Sequence, residues 1–498
     1  MAKAAPLNTI PPLSRVDQKN LSKRSCIEHS LHDPEINTEK TMSYDVAVIG
    51  AGPGGYVAAI RAAQSGANVC VIEKNELGGT CLNRGCIPSK VLLHAAKIYS
   101  SLQKAESFGI TGNIELDYAQ LAKHKDEIIG RLNKGIAALL KNRKITVIQG
   151  TAKLAGKREI TVSHGDAQTK VEADKIIIAT GSEVARLPVF PFDGIHVITS
   201  DEALRWESLP SEIIIVGAGA TGCEFASALS DFGVKVHLVE LLDQVLPGLD
   251  PDVSRELARA FKKKGVDVRT GTEINSLTVE DGKVKAVAGD ESIEADVAMI
   301  STGRSLNIKA LGLDELNIEV TGSSIAINEH CQTSVPNIYA VGDNTGQALL
   351  AHAASRQGVV AAEHAMGKNT AMEYSLIPSC IYTAPEVASV GLTEAQAIES
   401  GNQVKTAKYP FIGLGKSQVL GEGAGFVKIV GDEKTSQILG VQIVGYNATE
   451  LIGEAAVAIR LEATVEELAE TIHPHPTLSE AYMEAAELFL GQPIHAMK

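Results

Sequence analysis

The same glycine-rich pattern occurs twice in this chain, each time between two short apolar segments. In the first copy, the β-branched run at 45–49 predicts a buried strand and leads into GAGPGG at 50–55. In the second copy, a similar run at 212–216 leads into GAGATG at 217–222. A helical segment and a second strand follow in each case. That strand closes on an acidic residue 23 positions after the first glycine in both copies.

This arrangement is the dinucleotide-binding fingerprint, in which each position has a physical role. The first glycine makes the tight turn, the second lets the backbone approach a pyrophosphate, and the third packs helix against strand. The helix N-terminus attracts the phosphates, and the acid accepts hydrogen bonds from ribose hydroxyls. A single copy could be a purely structural turn that binds no nucleotide. Two copies with equal spacing are better explained by nucleotide binding. The positions are Gly50, Gly52, Gly55 and Glu73 in the first copy, and Gly217, Gly219, Gly222 and Glu240 in the second.

The repeated pattern predicts an α/β chain with two Rossmann-like dinucleotide-binding domains. A chain of 498 residues is too long to fold around a single hydrophobic core, and about three domains are expected. Beyond residue 372, alternating strand patterns and an amphipathic segment indicate a separate α+β domain. The predicted segments are 1–41, a disordered or processed tail; 42–188 and 306–372, the two parts of the first nucleotide-binding domain; 189–305, the second; and 373–498, the C-terminal domain.

Charge and cysteine content restrict the partners and the compartment. With 46 basic and 60 acidic residues the net charge is −14, which argues against a nucleic-acid partner. No apolar run is long enough to span a membrane, and no signal peptide is recognisable. Seven cysteines, an odd number at mostly wide spacing, favour a reducing compartment. We expect a cytoplasmic protein, or one of an organelle matrix if residues 1–41 are a transit segment, although five acidic residues there count against it.

Two cysteines lie close together, Cys81 and Cys86, five positions apart. Pro88 is well placed as the first residue of a helix, so Cys86 is expected at a helix N-terminus, where the dipole favours the thiolate. Lys90, one turn further on, adds positive charge. The pair predicts a reactive dithiol or disulfide. The alternatives are inert structural cysteines or half of a zinc site, which two C-terminal histidines at an unusual spacing would have to complete; we predict no metal site.

The C-terminal run HPHPTLSE at 473–480 supplies a candidate acid–base group. His475 has a carboxylate, Glu480, five positions on, and such a partner fixes the imidazole tautomer and raises its basicity. Alone, this spacing would more often indicate a capping or surface contact. Beside a dithiol, His475 becomes a candidate base for thiol deprotonation, with His473 as the competing choice.

Together these motifs resemble those of the flavin-dependent pyridine nucleotide–disulfide oxidoreductases. The resemblance covers roughly residues 43–498 in collinear order, and also includes Thr180-Gly181 and the run Val341-Gly342-Asp343. Within that family the pattern is most similar to the dihydrolipoamide dehydrogenases. It implies FAD at the first fingerprint, NAD at the second, and a homodimer that oxidises protein-bound dihydrolipoyl groups. The implied partners are the lipoyl-bearing E2 component of 2-oxoacid dehydrogenase complexes or the H protein of glycine cleavage.

The resemblance also implies roles for single residues. Cys86 would be the flavin-proximal thiol and Cys81 the interchange thiol, while His475 would be the acid–base group oriented by Glu480. Lys90 would lie near the flavin and pair with Glu224. The implied FAD contacts are Gly50, Gly52, Gly55, Glu73, Lys90, Ala152, Thr180, Gly181, Asp343, Leu349, Leu350, Ala351 and His352. The implied NAD contacts are Gly217, Gly219, Gly222, Glu224, Glu240, Ile274 and Gly303.

The two halves of this site are distant in sequence, since Cys86 and His475 are 389 positions apart (475 − 86). The resemblance implies that the C-terminal domain forms the dimer. His475 and Glu480 of one subunit would then complete the cysteine site of the other. A monomer that folds back on itself is the alternative.

The nucleotide preference follows from residues alone. Glu240 ends the second ribose strand, and residues 241–254 contain no Lys or Arg. A 2′-phosphate would need cations there, whereas a free 2′-hydroxyl suits a carboxylate, so NAD is favoured over NADP. The last cysteine is Cys380, so the C-terminal cysteine pair of mercuric reductases and large thioredoxin reductases is missing. A reductase of another small disulfide and a non-catalytic binding subunit remain the alternatives.

Overall fold

The computed structural model describes residues 41–496, so the tail predicted for 1–41 lies outside the described residues except for its last position. Within 41–496, no helix is long and apolar enough to cross a membrane. The strands are β1 (Met42–Ile49), β2 (Val69–Glu73), β3 (Thr146–Gln149), β4 (Thr151–Leu154), β5 (Glu159–His164), β6 (Ala167–Ile178), β7 (Ser182–Val184), β8 (Val197–Ile198), β9 (Glu212–Val216), β10 (Lys235–Val239), β11 (Asp267–Arg269), β12 (Ile274–Glu280), β13 (Lys283–Ala288), β14 (Glu291–Ala295), β15 (Val297–Ile300), β16 (Arg304–Leu306), β17 (Val320–Thr321), β18 (Ser324–Ile325), β19 (Ile338–Ala340), β20 (Ser379–Ile381), β21 (Glu386–Gly391), β22 (Val404–Pro410), β23 (Phe426–Asp432) and β24 (Ile438–Gly445). The helices are α1 (Pro53–Gln64), α2 (Gly79–Arg84), α3 (Cys86–Gln103), α4 (Tyr118–Asn142), α5 (Ser200–Ala203), α6 (Ala220–Asp231), α7 (Pro251–Lys263), α8 (Ala351–Ala365), α9 (Glu394–Glu399), α10 (Gly415–Leu420), α11 (Ala448–Arg460), α12 (Val465–Glu470) and α13 (Glu480–Leu490).

The first fingerprint lies in a sheet of order β3-β2-β1-β6-β5-β4, with β19 also paired to β6. The pairs among β3, β2, β1, the end of β6 and β19 are parallel, whereas β4 and β5 extend the sheet antiparallel. Both faces of β1 are buried, which explains its continuous apolar run rather than an alternating one. α1 packs closely on α8, where Gly358 lies against the backbone of Gly54.

The second fingerprint lies in a separate, all-parallel sheet of order β11-β10-β9-β15-β8. α6 follows β9 directly, as α1 follows β1. A small antiparallel sheet, β12-β13-β14, packs against one face of this unit through its alternating apolar residues. Two parallel sheets, each opened by a strand–turn–helix unit, are what the repeated sequence pattern predicts.

The C-terminal domain is an antiparallel sheet of order β20-β21-β24-β23-β22, with α11 and α13 packed against it. It does not stand apart from the second nucleotide-binding unit. Ile381, Val387, Phe426 and Val444 belong to the same hydrophobic cluster as the core of that unit. The C-terminal domain therefore packs directly against the unit that contains the second fingerprint. The domain boundaries that the sequence suggests at 188, 305 and 372 stay predictions.

Candidate active site

The two close cysteines lie on either side of a helix boundary. The 18-residue helix α3 begins at Cys86, two residues before Pro88, its predicted first residue, and Cys86 does lie at the helix N-terminus. Cys81 lies in α2, a six-residue helix that the sequence did not indicate. Gly85 separates the two helices, and both thiols are free and partly buried.

The two thiols differ sharply in acidity. A hydrogen bond from the Cys81 thiol, opposed by burial and assisted by the charge of Lys90, lowers the pKa of Cys86 to about 7. The same hydrogen bond, together with burial, raises the pKa of Cys81 far above its usual range. The first proton lost near neutral pH therefore comes from Cys86, at the positive end of the α3 dipole.

Lys90 is held in place by a carboxylate from the other nucleotide-binding unit. Its Nζ lies 2.8 Å and 2.9 Å from the two carboxylate oxygens of Glu224, which is nearly buried in α6. The main-chain N–H of Tyr382 donates to the same carboxylate at 3.0 Å, and the Tyr382 ring lies 4.5 Å from the Lys90 Nζ. Lys90 and Glu224 thus join the redox helix to the helix of the second fingerprint. Sequence gave no indication of Tyr382.

His475 is paired with Glu480 but lies apart from the cysteines. Its Nδ1 is 2.8 Å from a Glu480 oxygen, and its side chain is 75% exposed. Burial opposes ionisation of Glu480, but hydrogen bonds from the Thr477 N–H and from His475 outweigh it and lower the pKa of Glu480. Among the described residues of one chain, no hydrogen bond or ion pair joins His475 to either cysteine.

The competing histidine has a different environment. The side chain of His473 is almost fully buried, with its Nε2 2.7 Å from Glu454 and its Nδ1 2.9 Å from the carbonyl oxygen of Thr471. Both ring nitrogens are therefore occupied, which leaves none to exchange a proton with a substrate. Within residues 41–496, no three His, Cys, Asp or Glu side chains are grouped so as to hold a metal ion.

The two glycine-rich turns share one backbone geometry. The first glycines, Gly50 and Gly217, have φ values of +102° and +100°, which side chains other than glycine rarely adopt. At the third glycines, Gly55 and Gly222, a Cβ would overlap the carbonyl oxygen of the first glycine in the same turn. In both units the helix therefore packs closely against the strand that precedes it, as the fingerprint requires.

The second glycine of each turn faces free space. A Cβ on Gly219 would have no heavy atom within 4 Å, and one on Gly52 would meet only the Cα of Gly79, at 3.9 Å. α1 and α6 begin directly beyond these glycines and direct their free N–H groups toward that space. The residues present thus fit the pyrophosphates of FAD and NAD, which the family resemblance assigns to the first and second turn.

The acids of the two fingerprints have a second role that the sequence did not indicate. Glu73 and Glu240 are only 7% and 8% exposed. Each accepts a hydrogen bond from its own glycine-rich turn, from the N–H of Ala51 at 2.7 Å and of Ala218 at 2.6 Å. The carboxylates therefore hold the turns in shape. Their predicted ribose contacts stay predictions.

Asp343 lies in a small polar network that sequence reasoning found only in part. The Ser182 hydroxyl donates to its carboxylate, and Arg304 donates to the Ser182 hydroxyl at 2.6 Å and lies 3.7 Å from Asp343. Thr180 donates to the carbonyl oxygen of Asn307 at 2.8 Å. Arg304 follows directly on the Thr302-Gly303 turn, which is the sequence signal that could have identified it.

The remaining predicted contact residues are dispersed over the edges of both units. They are Ala152 in β4, Gly181 before β7, Leu349 and Leu350 before α8, Ala351 and His352 in its first turn, Ile274 at the start of β12, and Gly303 before β16. A Cβ on Gly181 or Gly303 would meet no heavy atom within 4 Å, so both leave room for a ligand. The roles of all eight stay predictions.

Comparison with known proteins identifies the family. The model of the pyridine nucleotide-disulphide oxidoreductases matches residues 44–358, and that of their dimerisation domain matches residues 377–486. A dihydrolipoyl dehydrogenase of Bacillus subtilis is 44% identical, covering 91% of this chain and 99% of the relative. One of Thermus scotoductus is 43% identical with the same coverage. The crystal structure of LpdA from Mycobacterium tuberculosis superposes with a TM-score of 0.84 at 29% identity, over 90% of this chain and 99% of that one.

These matches confirm the resemblance and the fold class inferred from sequence. The two family models together span both fingerprints, the cysteine pair and residues 377–486 of the C-terminal domain. The chain belongs to the pyridine nucleotide–disulphide oxidoreductase family.

Proposed function

We propose that this chain oxidises protein-bound dihydrolipoyl groups and reduces NAD, as a dihydrolipoyl dehydrogenase. Its high-coverage sequence relatives carry that name. The observation that carries the proposal is the pair of thiols of unequal acidity beside Lys90. Glu224 joins Lys90 to α6, the helix that follows the second glycine-rich turn. We call each glycine-rich turn, with the start of its helix, a nucleotide cradle. This arrangement accepts electrons from a dithiol on one side and delivers them to a nucleotide on the other.

The chain's own residues perform the dithiol–disulfide exchange. In the oxidised enzyme Cys81 and Cys86 form a disulfide. A base removes a proton from one dihydrolipoyl thiol, and the resulting thiolate attacks the Cys81 sulfur, breaking the bond to Cys86 and releasing it as a thiolate. The second dihydrolipoyl thiolate then attacks the mixed disulfide, which releases the lipoyl disulfide and leaves Cys81 to take up a proton.

The acidity of each thiol suits its step. Cys86, with a pKa of about 7, is a good leaving group and stays ionised beside Lys90. Cys81, with its raised pKa, is reprotonated when it leaves. The chemistry that FAD and NAD supply when bound is the two-electron reoxidation of this thiol pair, which ends with NADH.

The proton acceptor is His475 of the partner subunit in this proposal. Within the described residues of one chain, His475 is exposed and has no hydrogen bond or ion pair with the cysteines, and the dimerisation-domain model matches the segment that carries it. Glu480 occupies Nδ1 and so leaves Nε2 free to exchange the proton. A homodimer would bring this pair to the thiols without moving Glu480.

Assays with two substrate pairs test the proposed function. Purified protein should form NADH from dihydrolipoamide and NAD much faster than it oxidises NADPH with glutathione disulfide. NADP should be a poor acceptor, because Glu240 and the cation-free segment 241–254 oppose a 2′-phosphate. Faster turnover of glutathione disulfide would instead support the second candidate, a reductase of small disulfides.

The natural partner and the compartment are inferred from chemistry alone. The substrate is a dihydrolipoyl group on a protein, so we infer an E2 component or the glycine-cleavage H protein as its carrier. A cytoplasmic location, or an organelle matrix, agrees with the odd number and mostly wide spacing of the seven cysteines. Rates with lipoylated E2 domain and lipoylated H protein, compared at equal concentration, test the partner.

A further inference from the structure

A buried ion cluster joins the C-terminal domain to the second nucleotide-binding unit. Lys428 in β23 has only 5% of its side chain exposed. Its Nζ lies 2.9 Å from Asp250, 3.1 Å from Asp252 and 2.9 Å from Glu394. One buried cation therefore faces three carboxylates. The predicted redox chemistry uses none of these four residues.

Asp250 ties this cluster to the start of α7. It is 1% exposed, and one of its carboxylate oxygens accepts the N–H of Asp252 at 2.8 Å, which caps the helix. The other oxygen faces Lys428. The lysine thus neutralises a buried carboxylate that also fixes where α7 begins.

The segment between Glu240 and Asp250 borders the second nucleotide cradle. At its start Glu240 holds the turn through Ala218, and in its middle the N–H of Leu246 donates to the carbonyl oxygen of Ala218 at 2.8 Å. At its end Asp250 is held by Lys428. The segment is thus fixed to the glycine-rich turn at one end and to the C-terminal domain at the other.

We infer that Lys428 is a positioning residue for the nicotinamide nucleotide, because it fixes the 241–249 segment from the C-terminal domain through Asp250. The inference rests on the proposed function in one respect, namely that NAD binds at the second fingerprint. Removing the lysine would leave Asp250 buried without a cation, which is unfavourable whether the carboxylate stays charged or takes up a proton, and we expect the start of α7 to move. The nucleotide cradle would move with it, while the first cradle and the thiols would not.

Three variants test this role. Lys428→Met removes the cation, and Lys428→Met combined with Asp250→Asn also removes the buried charge while keeping a good helix cap. Lys408→Met is the matched control, since Lys408 lies in the neighbouring strand, 48% exposed and 3.6 Å from Asp252. Each variant is compared as FAD-loaded dimer. ADP-ribose, which cannot be reduced, serves as the probe of the second cradle in isothermal titration.

We expect Lys428→Met to weaken ADP-ribose binding and raise the KM for NAD by about ten-fold, as displaced positioning groups commonly do. The rate of flavin reduction by dihydrolipoamide, measured without NAD, and the FAD content should stay at the wild-type level. The double variant should recover most of the affinity. Lys408→Met should bind ADP-ribose within about two-fold of wild type, as an exposed pair contributes little.

Unchanged ADP-ribose affinity in Lys428→Met would overturn the inference. So would a parallel loss of FAD and of reduction by dihydrolipoamide, because that result describes a general packing role. No recovery in the double variant would show that the buried charge of Asp250 is not the cause. A wild-type protein that dihydrolipoamide cannot reduce would contradict the proposed function alone, and the ADP-ribose comparison would still decide the role of Lys428.

Discussion

The carboxylate of Glu73 accepts the N–H of Ala51 at 2.7 Å, and its second oxygen accepts the N–H of Asn75 at 2.8 Å. The second copy repeats this geometry at Glu240, with distances of 2.6 Å and 2.9 Å. Each acid therefore links the glycine-rich turn to the segment that follows the next strand. The fingerprint acid shapes both sides of its cradle, and this holds whether or not it also contacts a ribose.

Replacing each acid by glutamine should impair nucleotide binding only at the cradle to which that acid belongs. An amide offers one acceptor oxygen where the carboxylate offers two, so one main-chain N–H would lose its partner at a cost of about 1–3 kcal/mol. We expect Glu240→Gln to raise the Kd for NAD by about 10–100-fold and to keep its FAD. Glu73→Gln should lose FAD on gel filtration. Titration with NAD measures the Kd, and flavin absorbance measures the FAD content of each variant.

The outcome also separates two roles of Glu240. If it acted only by discriminating between ribose and phosphate, Glu240→Gln would bind NADP better than wild type does. If it holds the turn, binding of both nucleotides weakens together. Normal NAD binding in Glu240→Gln would contradict the positioning role.

Thiolate titration should assign the acidic cysteine. In the reduced protein, the ultraviolet absorption of one thiolate should appear with a midpoint at about pH 7. Cys81→Ser should keep this titration, because the serine hydroxyl can still donate to Cys86. Cys86→Ser should lose it, since burial still raises the pKa of Cys81 once its hydrogen bond to the Cys86 thiolate is gone. A midpoint near neutrality in Cys86→Ser would reverse the assignment of the two thiols.

Lys90→Met should raise the pKa of Cys86 and slow electron transfer out of the thiol pair. It would remove the cation that favours the thiolate and leave Glu224, with 8% of its side chain exposed, without a charge partner. We expect a loss of stability of about 2 kcal/mol, reduced if Glu224→Gln is added to the same chain. Thiolate titration and denaturant unfolding of both variants provide the measurements. An unshifted Cys86 titration would exclude Lys90 as a cause of its acidity.

Sequence reasoning succeeded where neighbours along the chain determine the structure. Residues a few positions apart determine the strand–turn–helix units, the position of Cys86 and the contact of His475 with Glu480. Local spacing in the sequence therefore reveals these features. It missed contacts between distant segments, such as Tyr382 on Lys90 and Lys428 on Asp250. Those depend on how three sheets pack, and no local pattern encodes that packing. It also missed α2, because six residues that begin with a glycine carry no helical periodicity.

The contribution of His473 to stability should depend on pH. The hydrogen bond to Glu454 raises the pKa of His473 in the folded protein, against the effect of burial. Its stabilising contribution is thus full below the unfolded pKa of about 6.5 and is lost as pH rises through the higher folded value. His473→Gln should lower the thermal midpoint by about 2 °C near pH 6. At about pH 9 the difference from wild type should vanish. An equal deficit at both pH values would exclude the ion pair as its source.

Mixed dimers should show whether two chains share one active site. Cys86→Ser and His475→Gln chains should each be inactive alone, the latter by about 10²–10⁴-fold in kcat. When the two are unfolded and refolded together, a site shared between subunits gives mixed dimers with one doubly defective site and one intact site. Activity should therefore return, to at most half of the wild-type value per mixed dimer. If His475 served the cysteines of its own chain, each site would keep one defect, and mixed dimers verified by mass would stay inactive.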